Sequence, residues 1–173
     1  MNRNRSITAF SLVEVIIAAG LFAASVTVVL SLLPSLARQS SASVDSLAAQ
    51  RLPDALKTEL QRLGAAGFDA LAGQVPVMNG PLTDGLAFAA DREAMRLHSL
   101  TYLPPVAEQL PEGEHYFLVE CWRFSDEPLR FDSSKAFLAL AVRVSWPHRL
   151  PGATAPVPAE SRHELVFTLA LNR

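Results

Sequence analysis

The chain has 173 residues, of which 50% are hydrophobic and 18% charged, and its formal net charge at pH 7 is -2. This length suits one modest globular domain with an additional helical segment. The charge gives no reason to expect a nucleic acid or an anionic membrane surface as partner. Because Cys121 is the single cysteine, an internal disulfide is excluded, and an exported domain must depend on its own core or on neighbouring subunits.

An apolar run from Phe10 to Leu33 contains no Lys, Arg or Asp but one acid, Glu14. The run is about long enough to cross a bilayer as a single helix. A carboxylate at the centre of a membrane helix costs on the order of 2.5–3.5 kcal/mol, so Glu14 is expected to have a partner and a task. The basic residues Arg3 and Arg5 predict that residues 1–9 stay cytoplasmic while the bulk of the chain is exported.

Two simpler interpretations of this segment remain. A cleavable secretory signal is one, with Ser35-Leu36-Ala37 as its small-x-small cleavage site. The apolar run is longer than a typical signal core and contains an acid, which weighs against this interpretation. A plain membrane anchor is the other, and it leaves Glu14 without an explanation.

The residues around Glu14 resemble the N-terminal motif of the type IV pilin and pseudopilin superfamily, whose pattern is Gly-Phe-Thr-Leu-Ile-Glu-Val. Four positions match it directly, namely Phe10, Leu12, Glu14 and Val15. Ser11 and Val13 are conservative replacements. The one departure is Ala9, which stands where the family usually has glycine.

The resemblance implies that the leader is cleaved between Ala9 and Phe10 and that the new N-terminus, Phe10, is methylated. Cleavage creates an α-amine that can be cationic near neutrality. In filaments of this family, the acid that corresponds to Glu14 pairs with the N-terminal amine of a neighbouring subunit. Such pairing neutralises two costly charges in apolar surroundings and fixes the axial register between subunits.

The resemblance also implies a location and a set of partners. The protein is expected to be a single-pass inner-membrane protein with a cytoplasmic N-terminus and a periplasmic head. It is expected to contact other pilin or pseudopilin subunits and the lipid bilayer. A prepilin peptidase/methylase, an assembly platform protein and, indirectly, an assembly ATPase complete the set.

Beyond the apolar run, an amphipathic helical continuation is predicted over residues 34–63. Its apolar side chains recur at three- or four-residue spacing and form one stripe, namely Val44, Ala48, Leu52, Leu56, Leu60 and Leu63. Pro34 and Pro53 each predict a kink or local unwinding. Gly64 and Gly67 predict the end of the helix.

The rest of the chain, residues 64–173, is predicted to form a globular head. Residues 64–90 are rich in Gly, Ala and Pro and predict a loop with short irregular pieces. Four strands are predicted after this loop: Glu93–Leu103, Tyr116–Phe124, Ala136–Trp146 and His163–Leu171. In the second strand, alternation predicts that one face carries Tyr116, Leu118, Trp122 and Phe124. Glu120 shares that face and is therefore expected near an edge or beside a partner.

In the last two strands, alternation again predicts an apolar face. These side chains are Leu138, Leu140, Val142, Val144 and Trp146 in one strand and Leu165, Phe167, Leu169 and Leu171 in the other. An antiparallel sheet with one apolar face needs a cover, and the stripe of residues 34–63 supplies one. The predicted fold class is therefore α+β, with a long kinked N-terminal helix packed on a small antiparallel sheet. The chain ends with Val142-Arg143-Val144-Ser145-Trp146-Pro147, then a loop and a short C-terminal strand. This ending, over about the last 35 residues, resembles that of minor pilins and pseudopilins, including the pseudopilin I, PilV-like and Verru_Chthon cassette groups.

No catalytic constellation is found. His163 and Glu164 begin a zincin-like pattern, but Phe167 stands where the second histidine belongs. The four histidines, His98, His115, His148 and His163, share no ligand spacing and are interpreted as surface or strand-end residues. Cys121 is interpreted as a buried, inert thiol.

Three acids, Asp126, Glu127 and Asp132, are compatible with a calcium-binding loop. They lack EF-hand-like spacing, and a solvated turn is the preferred interpretation.

We thus predict that the protein is not an enzyme and has no metal, cofactor or nucleic-acid partner. The expected function is that of a minor pilin or pseudopilin in a type IV pilus or type II secretion filament. The alternative is an anchored periplasmic binding module that does not polymerise, and an anchored enzyme is the third possibility.

Overall fold

The computed structural model describes residues 11–78, 85–102, 109–153 and 155–173. Three α-helices come first in the chain, α1 (Leu12–Ala49), α2 (Leu52–Leu63) and α3 (Phe68–Gln74). Five strands follow, β1 (Leu86–Ala90), β2 (Leu97–Ser99), β3 (Phe117–Arg123), β4 (Phe137–Trp146) and β5 (His163–Asn172). The long bent N-terminal helix and the antiparallel sheet confirm the predicted α+β, pilin-like fold class.

The bend in the N-terminal helix lies at Gln50 and Arg51, between α1 and α2. Pro53 follows in the first turn of α2, where its missing N–H would have no partner within the helix in any case. The kink predicted near Pro53 is therefore confirmed. Pro34, in contrast, lies inside α1 and the helix continues through it without local unwinding. A proline removes one backbone hydrogen bond, and the long helical segments on both sides propagate past this gap.

The five strands form one antiparallel sheet in the order β2-β1-β3-β4-β5. Two of its elements correct the sequence prediction. The stretch predicted as a loop, residues 64–90, contains both α3 and β1. Leu86–Ala90 has a weak strand propensity because three of its five residues are alanine, but pairing with β2 on one side and β3 on the other fixes it as a strand.

The predicted strand Glu93–Leu103 is the second correction. Only Leu97–Ser99 is a strand, and Leu103 lies outside the described residues. The segment before it forms a tight turn in which the Asp91 carboxylate accepts hydrogen bonds from the backbone N–H groups of Met95 and Arg96. This side-chain acceptor competes with strand pairing, as aspartate commonly does in turns.

The core lies between the helices and one face of the sheet. Leu52, Leu56 and Leu60 of α2 are fully buried and belong to one cluster with apolar side chains of the four longest strands, among them Phe88, Phe117, Val119, Leu140 and Val142. The predicted apolar faces of β4 and β5 are confirmed by the same cluster. Val44 is an exception to the predicted stripe, because its side chain is 58% exposed.

Leu118, Glu120 and Trp122 share one face of β3, as predicted, and the opposite face is the one that packs into the core cluster. Phe117, Val119 and Cys121 point into the core cluster, whereas Glu120 lies on the other face. The reason is the register, because Val119 lies opposite Val144 of β4 and opposite Phe88 of β1, and directly opposed residues share a face. Glu120 has the predicted partner, since Arg143 lies directly across from it and donates a hydrogen bond to its carboxylate at 2.8 Å.

A buried carboxylate joins the last turns of α1 to the sheet. The Asp45 side chain is 8% exposed. Its Oδ2 accepts a hydrogen bond from the Tyr116 hydroxyl at 2.7 Å, and its Oδ1 accepts one from Arg92 Nε at 3.0 Å. The Arg92 guanidinium also lies over the Tyr116 ring, 5.1 Å from its centroid. Burial and the hydrogen bond to Asp45 raise the pKa of Tyr116 to about 12, so the phenol remains a donor. We call Asp45, Arg92 and Tyr116 the carboxylate clamp.

Tyr116→Phe tests the carboxylate clamp. The substitution removes one donor to a buried carboxylate and is expected to lower the free energy of unfolding by about 1.5–3 kcal/mol. Urea unfolding of the full chain in detergent, followed by the fluorescence of the buried Trp122 and Trp146, measures it. Tyr102→Phe is the matched control because Tyr102 is 38% exposed, and it is expected to cost less than about 0.5 kcal/mol. Equal effects of the two variants would contradict the role of the clamp.

Candidate functional site

The first part of α1 presents apolar side chains on all sides. Every residue from Ser11 to Ala37 is exposed, including large side chains such as Leu12, Ile16, Leu21, Phe22 and Leu30. By length and composition, this helix can cross a membrane. A helix that is apolar all round is normally covered by protein or lipid. Among the residues that the structure describes, none covers this segment.

The hydroxyl groups in this segment make their hydrogen bonds within the helix. The hydroxyls of Ser25, Thr27, Ser31 and Ser35 each donate to a backbone carbonyl three or four residues earlier, at 2.7–2.8 Å. In hydrocarbon, a polar group without a partner costs several kcal/mol. Because these hydroxyls are satisfied internally, they do not prevent the segment from lying in apolar surroundings.

Glu14 lies in the first turn of α1. Its backbone N–H donates to the Ser11 hydroxyl at 3.2 Å, so Ser11 caps the start of the helix. The Glu14 side chain is exposed, and its carboxylate contacts no cation among the described residues. The cleavage site predicted between Ala9 and Phe10, and the methylation predicted at Phe10, lie outside the described residues.

This geometry allows two roles for the Glu14 carboxylate. A serine followed by a glutamate three residues later is the pattern of a capping box, and an acid in the first turn also interacts favourably with the helix dipole. Alternatively, the exposed carboxylate is available to a cation from another molecule. The two roles differ in one respect, since glutamine serves in a capping box as well as glutamate but carries no charge.

Gly20 leaves space on the surface of the same helix. A side-chain carbon placed there would have no atom within 4 Å. Packing within this chain therefore does not require glycine at this position. Together with the nearby Ala19, Ala23 and Ala24, it leaves a surface to which another helix can approach closely.

The head buries a thiol and two imidazoles. Cys121 is buried, as predicted, and burial raises the pKa of its thiol far above the usual value. His98 and His115 are also buried, with their rings 5.5 Å apart. Of the two expected places, surface or strand end, the surface is wrong for both residues, because β1 pairs with β2, which holds His98, and with β3, which begins two residues after His115. Across the described ranges, no group of three or more His, Cys, Asp or Glu side chains is placed to hold a metal ion.

His148 is held in a cationic environment just after β4. Its backbone N–H donates to the Tyr116 carbonyl at 2.7 Å, and its carbonyl accepts from Val157 at 2.8 Å. Burial, followed by the charges of Arg162 and Arg149 and by His115, lowers the pKa of His148 from 6.5 to about 4. The imidazole is therefore neutral at pH 7.

A cleft of about 240 Å³ lies beside the carboxylate clamp. Arg92 and Tyr116 line it together with Arg149 and with three acids, Asp91, Glu93 and Glu114. The mixed charges select no single class of small-molecule ligand.

The sequence analysis missed Asp45, the central residue of the carboxylate clamp. A signal existed, because Asp45 precedes Ala49, Leu52, Leu56 and Leu60 at helical spacing and is the one acid on that stripe.

Comparisons with known proteins identify no relative: no family model matches this chain, and neither the curated proteins nor the solved structures include a significant match.

His148→Gln is expected to change how stability depends on pH. In the unfolded chain, the imidazole binds a proton near pH 6.5, whereas in the folded chain it does so only near pH 4. The stabilisation is thus complete above pH 6.5 and is lost as the pH falls toward 4. The variant should lose less stability than the wild type between pH 7 and pH 4 in urea unfolding. His163→Gln, at an exposed histidine, should keep the wild-type pH dependence, and a parallel change in both variants would refute this assignment.

Proposed function

We propose that this protein is a structural subunit, a minor pilin or pseudopilin, of a type IV pilus or type II secretion filament. It is cleaved before Phe10 and resides in the inner membrane with its head in the periplasm. It then enters the filament through its N-terminal helix. It performs no reaction itself. A prepilin peptidase/methylase, an assembly platform protein and an assembly ATPase act on it during assembly.

The observation that carries this proposal is the fully exposed apolar segment of α1, with a single acid near its start. In the membrane, lipid covers this segment. In a filament, the helices of neighbouring subunits replace the lipid, and the same surface serves both states. A helix that only anchors a domain needs the apolar surface but has no need of Glu14, whose charge makes insertion less favourable.

The architecture of the head also supports a subunit rather than an enzyme. Its core is closed by α2 on one face of the sheet, and the buried Asp45 carboxylate is bound by Tyr116 and Arg92 of the same head. The alternative, an anchored binding module, would use the cleft beside the clamp. The state of the N-terminus and the behaviour of Glu14 variants separate the two proposals.

The first test is the N-terminal sequence of the mature protein. The filament proposal predicts a chain that begins with N-methylated Phe10, because only cleavage there frees an amine next to Glu14. Mass spectrometry of the protein purified from membranes measures it. An intact Met1 would favour the anchored module, and a cut after Ala37 would favour an ordinary secretory signal.

The second test distinguishes two roles of Glu14, ion pairing through its charge and capping of the helix start. Glu14→Gln keeps a side chain that can cap the helix but removes the charge that would pair with a neighbour's amine. Leaving one partner of a buried ion pair uncompensated costs about 3–5 kcal/mol, so incorporation into filaments should fall more than about 100-fold. Membrane insertion and cleavage should be retained.

Ser11→Ala is the matched control, because it removes the cap seen at the start of α1 and leaves the charge in place. Immunoblots of sheared filaments and of membranes, compared for the two variants, provide the measurement. Normal incorporation of Glu14→Gln would show that the charge has no part in assembly.

A further inference from the structure

The loop between β3 and β4 is folded around one ammonium group. Lys135, near the end of this loop, donates three hydrogen bonds from Nζ: to Glu127 Oε2 at 2.8 Å, to the Pro128 carbonyl at 3.0 Å and to the Arg130 carbonyl at 2.8 Å. A lysine ammonium has three N–H donors. All three donors of Lys135 therefore have acceptors within the same loop.

The loop backbone is shaped so that its oxygens point toward this ammonium. The N–H groups of Leu129 and Arg130 donate to the Asp126 carbonyl, which forms a tight turn. On the other side, the Asp132 carboxylate accepts from the Ser134 N–H at 2.8 Å, and the Asp132 carbonyl accepts from the Lys135 N–H at 3.0 Å. The two turns leave the carbonyls of Pro128 and Arg130 free of the helix or strand ladders and available to a cation.

The acceptors are one carboxylate and two carbonyls, which are the oxygen ligands that hard cations take in proteins. An ordinary surface ion pair consists of one contact between two solvated side chains and contributes little. Lys135 differs from that case because two of its three acceptors are backbone atoms and its side chain is only 25% exposed, whereas that of Glu127 is 65% exposed.

We propose that the β3–β4 loop is a cation-binding site whose occupant is the ammonium group of the chain's own Lys135. The site recognises a primary ammonium through three N–H donors, and it holds the loop in one conformation without a metal ion. Of the three acids considered for a calcium loop, Glu127 binds the ammonium directly. Asp126 and Asp132 instead shape the turns that present the carbonyls.

The decisive experiment is chemical rescue of Lys135→Ala. Propylammonium contains the atoms that this substitution deletes, and tetramethylammonium carries the same charge but has no N–H donor. The full chain in detergent is melted with each salt at tens of millimolar. Lys57→Ala is the matched control, because Lys57 is the only other lysine and is exposed on α2.

We expect Lys135→Ala to lower the melting temperature by about 3–8 °C and propylammonium to restore about half of this loss by mass action. Tetramethylammonium should restore none of it, and Lys57→Ala should melt like the wild type. Rescue by both salts to the same extent would overturn the proposal. So would a loss that propylammonium does not restore, or a melting temperature unchanged by Lys135→Ala.

A second measurement needs no variant. Acylation of the native protein, followed by mass spectrometry, compares the reactivity of its two lysines. Because the Nζ of Lys135 is held by three acceptors and its side chain is only 25% exposed, an acylating reagent reaches it less easily, and it should react at least about tenfold more slowly than the exposed Lys57. Equal rates for the two lysines would overturn the proposal.

Discussion

The Asp45 carboxylate is the interaction on which the arrangement of the head depends. It lies in α1 at the point where the helix changes from exposed to buried residues, and it is bound by Tyr116, which precedes β3, and by Arg92, which follows β1. A carboxylate this deeply buried is stable only with such partners. Since both partners lie in the sheet region, the contact joins the last turn of α1, just before α2, to the sheet.

The two faces of the sheet are organised by different interactions. On the core face, apolar side chains of β1, β3, β4 and β5 meet α2. On the other face, Arg143 lies between Glu120 and Trp122, with its guanidinium 5.3 Å from the centroid of the indole ring. Gly85 makes room for this indole, because a side-chain carbon at Gly85 would come within 2.7 Å of Trp122. The central strands are thus packed on both sides, although only one face is apolar.

The N-terminal segment differs from the head in how its apolar side chains are buried. The head buries its apolar side chains against one another, whereas residues 11–37 bury none of theirs within the described chain. The hydroxyls of Ser25, Thr27, Ser31 and Ser35 are nevertheless satisfied internally, so the Glu14 carboxylate is the one charged group of the segment that lipid would leave without a partner. The filament role that we propose makes use of this separation, because the surface left uncovered by the described residues is the one that neighbouring subunits would cover.

Sequence periodicity alone determined the long helix, the stripe of Leu52, Leu56 and Leu60, and strands β3, β4 and β5, because repeats of 3.6 and 2 residues are local properties. Only the tertiary structure decided that Leu86–Ala90 is a strand, which face of β3 is buried, and that Asp45 rather than Val44 turns inward. Those outcomes depend on pairing and contacts between segments distant in sequence, such as Phe88 with Val119 and Asp45 with Tyr116. The three acceptors around Lys135 Nζ were also decided only by the tertiary structure. Two of them are backbone carbonyls, which every residue type possesses, so no sequence pattern marks them.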